Sequence, residues 1–201
     1  PVVSAEFSFR TKQISDNSSK AKPGLSGFGF LNAQAVYAEE GDRTREIARR
    51  FGLVNTDFSI YVPKIDARAE IASNVDTADS EAMKKALTQK VAHAIGSVFP
   101  GMDGGTYLFA HSTDTVLNIT RYNAVFYLLR ELENGDEIYV FFLDRVYKYK
   151  VAEKKIVDGN DTSWLTGAKS GPQRLILQTC WPPGTAWKRL IVVAYPIEFD
   201  K

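Results

Sequence analysis

One cysteine and two histidines are the only side chains in this 201-residue chain whose ordinary chemistry is nucleophilic or proton-transferring near neutral pH. A free cysteine by itself packs as a small buried hydrophobe. The context of Cys180 points to a second reading. It ends the apolar run Arg174-Leu-Ile-Leu-Gln-Thr-Cys180 and is followed by Trp181-Pro182-Pro183, which cannot continue a central strand ladder. The sulfur is therefore expected at a strand mouth, where a nucleophile is reachable. Arg189 begins the next apolar run. If the two runs form an antiparallel hairpin without a bulge, Cys180 and Arg189 close it as an opposed pair, with Cβ atoms about 4.5–5.5 Å apart. Strand parity then sends Arg189, Ile191 and Val193 to one face and Leu190, Val192 and Ala194 to the other. Either Arg189 is an ordinary strand-end cation, or it favours the thiolate and stabilises an oxyanion. His111 ends the run Tyr107-Leu-Phe-Ala and precedes the polar Ser112-Thr113-Asp114. It is either a surface residue or, paired with Cys180, the acid/base of the chain. His93 lies opposite the apolar stripe of a helical pattern and is expected to be solvated.

Composition removes several function classes. With 25 Lys+Arg against 24 Asp+Glu, the formal charge is +1, which argues against a broad nucleic-acid or polybasic membrane surface. A lone cysteine excludes an internal disulfide, and with two histidines it leaves too few soft ligands for a Cys/His zinc site. Neither a metal nor a cofactor is expected. His111 precedes Cys180, the reverse of papain-like proteases, and the Gln-Ala-Cys signature of caspases is absent. No Gly-x-Ser-x-Gly, P-loop, dinucleotide fingerprint or His-Glu-x-x-His occurs. The longest run without Asp, Glu, Lys or Arg, Pro23 to Ala38, is broken by Gly, Ser, Asn and Gln, so no stretch qualifies as a transmembrane helix. The chain opens at Pro1 and is read as a trimmed or processed product.

The elements that must position these residues follow from periodicity and punctuation. The length fits one domain with an extension: residues 1–54 are read as an N-terminal arm and residues 55–201 as the domain. Within the arm, Asp16 to Gly24 is a turn-rich polar stretch, and Asp42 is read as the cap of a helix from Arg43 to Phe51, closed by Gly52. Strands are expected over Phe58–Val62, Thr106–His111, Glu137–Phe142, Arg145–Val151, Arg174–Cys180 and Lys188–Ala194, with a hairpin around Leu143-Asp144. Ser80 is read as the cap of a long helix carrying Met83, Leu87, Val91, Ile95 and Val98 at helical spacing, and a shorter helix spans Ala124–Leu132. Many short strands with few helices read as a β-barrel or sandwich with helical crossovers.

Ordered motifs sharpen that outline. Leu177-Gln178-Thr179-Cys180, with Arg189 opening the next strand, matches the last four positions of Thr-Leu-x-Thr-Cys, and Ile176 stands where its first Thr is expected. Ile60-Tyr-Val-Pro-Lys-Ile65 looks like an Ile-Pro-Lys-Ile entry strand. Leu108-Phe-Ala-His-Ser112 looks like an Ala-Gly-His segment with Ala110 in place of Gly. Phe126, Leu129, Leu132 and Gly135-Asp136-Glu-Ile138 follow Phe-x-x-Leu-x-x-Leu-x-x-Gly-Asp-x-Ile, and Tyr147-Lys-Tyr-Lys-Val151 completes the series. Together these segments make the chain resemble a sortase, the cysteine transpeptidase family of bacterial cell surfaces, with the subclass unassigned.

The resemblance implies a mainly β fold, a closed eight-stranded sortase-type barrel with short helical crossovers and an N-terminal extension. It implies Cys180 as nucleophile, His111 as acid/base and Arg189 as substrate and oxyanion partner. Thr179, Trp181 and Ala110 are substrate-binding candidates, and the segment from Lys154 to Pro172, with Val157, Trp164 and Leu165, lies where sortases place much of their groove. The implied partners are secreted proteins with a Leu-Pro-x-Thr-Gly-like C-terminal sorting signal and an amine acceptor, either a peptidoglycan cross-bridge or lipid-linked precursor or a pilin lysine. Nucleic acid is not among them. The implied location is the extracytoplasmic face of the bacterial membrane, anchored by an N-terminal segment not present in this chain. Three alternatives stay open: a cysteine hydrolase on the same scaffold, a barrel-like binding module with an inert cysteine, and a scaffold held inactive by its own arm.

Overall fold

The computed structural model describes residues 28–112 and 125–198, with side chains from residue 36 onward. The turn-rich stretch from Asp16 to Gly24 and the residue Ala124 lie outside the described residues. The described residues divide into two units, with the boundary between Arg43 and Thr44. Helix α1 spans Phe28–Arg50, so the helix expected from Arg43 is the last part of a longer one and Asp42 lies inside it rather than at its cap. Gly29 and Gly41 lower the helical propensity of the earlier part, which is why pattern reading started the helix too late. Its end is as expected. Gly52 takes φ of 71°, and two bonds close the turn, from Leu53 N to the Ala48 carbonyl (2.9 Å) and from Gly52 N to the Arg49 carbonyl (3.0 Å). Ala48 and Leu53 are then buried together against Tyr139 and Phe141.

The second unit is a closed barrel. Its strands are β1 (Phe58–Val62), β2 (Ala67–Val75), β3 (Val91–Ala94), β4 (Gly105–Phe109), β5 (Glu137–Phe142), β6 (Arg145–Asp158), β7 (Arg174–Trp181) and β8 (Lys188–Ile197), in the order β1-β2-β3-β4-β7-β8-β6-β5. Closure of β5 on β1 removes the free edges that an open sheet would expose. The β2–β3 and β4–β7 pairs are parallel and the others antiparallel. Alternation sends one set of side chains inward, with Ile60, Leu108, Ile138, Val140, Leu175, Leu177, Leu190 and Val192 in the barrel core. The opposite parity builds a second cluster on the outer face from Tyr107, Phe109, Ile176, Ile191 and Val193. Leu143 and Asp144 make the expected hairpin turn, both at positive φ. Asp144 accepts hydrogen bonds from Arg45 Nη1 (2.7 Å) and Thr56 Oγ1 (2.5 Å), partners that offset the cost of that left-handed backbone.

Two strands escaped the sequence reading. The inward positions of β2 are Ala67, Ala69 and Ile71, too weakly apolar to announce a strand. The long helix expected from Ser80 is instead α2 (Ser80–Leu87), capped by Asp79, whose Oδ1 accepts from Glu81 N and Ala82 N at 3.0 Å each. Val91 continues the four-residue spacing by coincidence. It belongs to β3, which pairs Val91 with Ile71 and His93 with Leu108. Near the second expected helix, Tyr127–Glu131 is a 3₁₀ turn. Phe126, Leu129 and Leu132 are all buried at spacing three, and side chains three apart eclipse in that helix type.

His93 is therefore not solvated but fully buried, stacked on Phe99 at 4.6 Å. Its Nδ1 accepts from Asn74 N (3.3 Å), and its Nε2 faces the Val98 carbonyl (3.2 Å) and Ser97 Oγ (2.9 Å). Ser97 Oγ donates its own hydrogen to the Ala94 carbonyl, so the arrangement holds the neutral Nε2–H tautomer. Burial pushes the imidazole from 6.5 down to about 4, against a smaller upward effect of the Val98 carbonyl. The neutral ring is favoured in the fold. This contribution is complete above pH 6.5 and is lost as pH falls towards 4, where the unfolded chain takes up the proton first. Urea denaturation is expected to show up to about 3 kcal/mol of loss across that window, and His93→Gln is expected to flatten it. An unchanged pH slope in the variant contradicts this account.

Candidate active site

Cys180 lies in the last turn of pairing between β7 and β8, directly opposite Arg189 as expected, and one further pair, Trp181 with Lys188, extends the hairpin beyond it. The connection turns through Gly184 at φ of 81°, with Thr185 N bonded to the Pro182 carbonyl (3.0 Å). Parity is also as expected: Arg189, Ile191 and Val193 point outward, and Leu190, Val192 and Ala194 point into the core. Cys180 and Arg189 are both half-buried on the outer face at the end of the barrel. Arg189 Nη1 donates to the carbonyls of Ala186 (2.9 Å) and Lys188 (3.1 Å) of its own loop. The loop therefore holds one arm of the guanidinium, leaving the donors on Nε and Nη2.

The strand carrying the histidine is shorter than expected. β4 ends at Phe109, and His111, half-buried, follows two residues later. The parallel register of β4 on β7 runs from Gly105↔Arg174 to Phe109↔Gln178, an offset of 69. Two bonds carry the association past the strand end, from Ala110 N to the Gln178 carbonyl (3.2 Å) and from Thr179 Oγ1 to the Ala110 carbonyl (3.1 Å). The same offset counted two residues further matches His111 with Cys180. Adjacent strands are about 4.8 Å apart, so the three positions number off across β4, β7 and β8 at one level.

The substrate-binding candidates face differently from the cysteine. Thr179 is 3% exposed and points inward to its bond with Ala110, and Ala110 itself is part of the core. Trp181 is half-buried and packs against that core at the barrel mouth. Within the segment from Lys154 to Pro172, residues up to Asp158 continue β6. Helix α3 (Ser163–Thr166) and a 3₁₀ turn (Gly167–Lys169) follow. Trp164, Leu165 and Val157 pack half-buried against the outer-face cluster. Ala168 packs on the start of β4: a Cβ at Gly105 would meet its Cβ at 3.2 Å, and one at Gly104, just before the strand, its carbonyl at 2.9 Å. Arg174 pins the far end of the segment, donating to the carbonyls of Gly167 (2.6 Å), Ser170 (3.0 Å) and Pro172 (3.0 Å).

Pattern reading missed the polar residues on the same outer face. Tyr107, 3% exposed, donates its hydroxyl to Gln178 Oε1 at 2.5 Å. Burial pushes the phenol well above its usual range, with Arg189 pulling it down and Asp161 pushing it up. Asp161 is held below the usual carboxylate range by the Ser163 hydroxyl and backbone N–H. The signal was present in parity: Gln178 shares a strand face with Cys180, and it is the polar member of the row Ile176, Gln178, Cys180. Among the described residues, no group of three His, Cys, Asp or Glu side chains could hold a metal ion, and no helix is long and apolar enough to cross a membrane.

A closed barrel of this strand order defines a fold class that known proteins share. Residues 60–197 match the family described as Sortase domain, and the chain belongs to the sortase family. It is similar to sortase D of Bacillus subtilis, 33% identical over 136 residues that make up 66% of this chain and 60% of that protein. It is also similar to sortase A of Listeria monocytogenes, 27% identical over 137 residues, 67% of this chain and 54% of that protein. The chain thus spans between half and two thirds of the length of these relatives. Among solved structures, a lid mutant of sortase A from Corynebacterium diphtheriae superposes with a TM-score of 0.59 at 27% identity, covering 73% of this chain and 72% of that one. A Clostridium perfringens sortase D5 transpeptidase shares the fold at a TM-score of 0.57 and 20% identity, over 78% and 88% of the two chains. Sortases of several types match, so the family is identified and a subclass is not.

The Thr179–Ala110 bond is the buried side-chain link between the cysteine strand and the histidine segment. Thr179→Val keeps the shape but leaves the Ala110 carbonyl without that donor. It is expected to cost about 1–3 kcal/mol of stability in urea denaturation. A loss below 0.5 kcal/mol, on the order of the error of such measurements, contradicts a structural role for the bond.

Proposed function

We propose that the chain is a cysteine transpeptidase that cuts a Leu-Pro-x-Thr-Gly-like C-terminal sorting signal after Thr and transfers the acyl half to an amine. The observation that carries the reading is the cross-strand pair of Cys180 with Arg189 at the accessible end of the barrel. The β4–β7 offset that numbers His111 level with them supports it, as does membership of the sortase family.

In this mechanism the Cys180 thiolate attacks the Thr carbonyl carbon and a C–S bond forms. The carbonyl electrons move to oxygen, where Arg189 donates from Nε and Nη2. As the tetrahedral centre collapses, the C–N bond breaks and His111 gives its proton to the leaving amine. The thioester retains the acyl group in activated form. An acceptor amine then attacks, returns a proton to His111 and expels the thiolate. The acceptor is a peptidoglycan cross-bridge, a lipid-linked precursor or a pilin lysine, and the site of action is the outer face of the bacterial membrane. Ala110, Thr179 and Trp181 shape the substrate end of the groove. Thr179 acts by holding the backbone before His111, and Trp181 by walling the mouth. Residues 1–54 stand as an extension outside the catalytic segment. A hydrolase differs only in the second attack, where water replaces the amine.

Intact-mass spectrometry with Leu-Pro-x-Thr-Gly peptides tests the reading. The wild type is expected to gain the N-terminal half of the peptide on Cys180 and to release it as an adduct when triglycine is added. Cys180→Ala is expected to gain nothing. Arg189→Ala, at unchanged melting temperature, is expected to slow acylation by about 10²–10³-fold. Acylation resolved by water alone, with every amine offered, favours the hydrolase. A near-wild-type rate in Arg189→Ala removes the assigned oxyanion role.

A further inference from the structure

Beyond the Cys180–Arg189 pair, the outer face beside it is apolar except for one built polar feature. Along β7 the outward side chains are Ile176, Gln178 and Cys180, and their partners on β8 are Val193, Ile191 and Arg189. Neighbouring Tyr107 and Phe109 of β4 complete the surface. Into it the chain sets a glutamine whose Oε1 accepts the buried Tyr107 hydroxyl at 2.5 Å. A Tyr–Gln bond used only for packing would be a costly choice there, since an aliphatic pair would fill the same space without desolvating two polar groups.

The bond has a directional consequence. Because the phenol donates, it occupies Oε1 and fixes which end of the amide is which, so Nε2 with its two hydrogens faces away from Tyr107. Among the described residues Nε2 has no hydrogen-bond partner, and it is not sealed from solvent. It is thus an oriented donor, about 7 Å along the strand from the nucleophile, the length of two extended residues. The acyl half of a substrate stays bound through both half-reactions while the leaving and incoming amines exchange. Contacts that select the substrate are therefore most effective on the acyl side.

Resting on the transpeptidase reading above, we propose that Gln178, held by Tyr107, is a specificity-determining residue. Its amide selects a sorting signal with a side-chain hydrogen-bond acceptor among the three residues before the scissile carbonyl. Gln178 touches substrate. Tyr107 acts through it as a positioning residue that prevents the amide from flipping.

The test uses the full chain and peptides built on Leu-Pro-x-Thr-Gly, with each of the three residues before Thr replaced in turn by Gln, Asn, Ser or Leu. The readout is the rate of acylation of Cys180 by intact mass. At one position the wild type is expected to prefer an acceptor side chain over Leu by about tenfold. Gln178→Met, of similar volume, is expected to abolish that preference, so that the ratio of acylation rates between the acceptor and Leu peptides falls to about one at unchanged melting temperature. Tyr107→Phe is expected to retain folding and acylation but to reduce the preference to about threefold. A wild type without an acceptor preference at any position, or a preference unchanged in both variants, overturns the inference and leaves the transpeptidase reading intact. Acylation by no peptide overturns the transpeptidase reading and this inference with it.

Discussion

The register of three adjacent strands is the constraint on which the rest depends. β7 lies between β4, in parallel, and β8, in antiparallel, and neither ladder has a register shift: the first runs to Gln178 and the second to Trp181. Because the side-chain period of a strand is two, a slip of one residue in the β7–β8 ladder would turn Arg189 to the opposite face from Cys180, and a slip in the β4–β7 ladder would break the offset that matches position 111 with position 180. Barrel closure is what prevents the slip. β8 is held on its other side by β6 and β4 by β3, so no strand of the group is a free edge. The interior rows, Leu175 and Leu177 against Leu190 and Val192, lock the same register through buried contacts.

That constraint also separates the two roles of each strand. Inward residues fill the core, and the residues one step away in sequence carry the proposed chemistry. Thr179 and Cys180 are neighbours in the chain, yet one is bound inside the barrel to Ala110 and the other is half-buried outside. The outer face is not left bare. The segment carrying Trp164, Leu165 and Ala168 packs on it, docked where Gly104 and Gly105 leave room and pinned at its end by Arg174. The polar groups near the thiol are therefore held by the same apolar surface that excludes water from much of their surroundings.

Legibility followed the strength of the local signal. β5, β7 and β8 are strongly apolar, and their positions were readable together with the hairpin at Leu143-Asp144; β6 was read only over Arg145–Val151, because its later half carries Glu153, Lys154, Lys155 and Asp158. β2 was not, because its inward residues are mostly alanine. Val91 was assigned to a helix because its spacing from Met83 and Leu87 mimics a helical stripe. With β3 unrecognised, His93 was turned to solvent, whereas it lies in the core on Phe99. Gln178 was passed over because a lone glutamine in an apolar run carries no motif; its meaning comes from Tyr107, 71 residues away.

By itself, the sequence determined the family resemblance, the barrel class, the hairpin pairing of Cys180 with Arg189 and the parity of the strands around them. Each of these depends on residues close in the chain or on ordered motifs. Only the tertiary structure decided that β3 is a strand and that His93 is buried and neutral. It alone set the parallel offset of β4 on β7 and brought Tyr107 to Gln178. Parallel pairing joins strands far apart in sequence, and its register depends on which side chains fit the closed barrel. Local periodicity cannot encode that choice, because it is made by the packing of all eight strands at once.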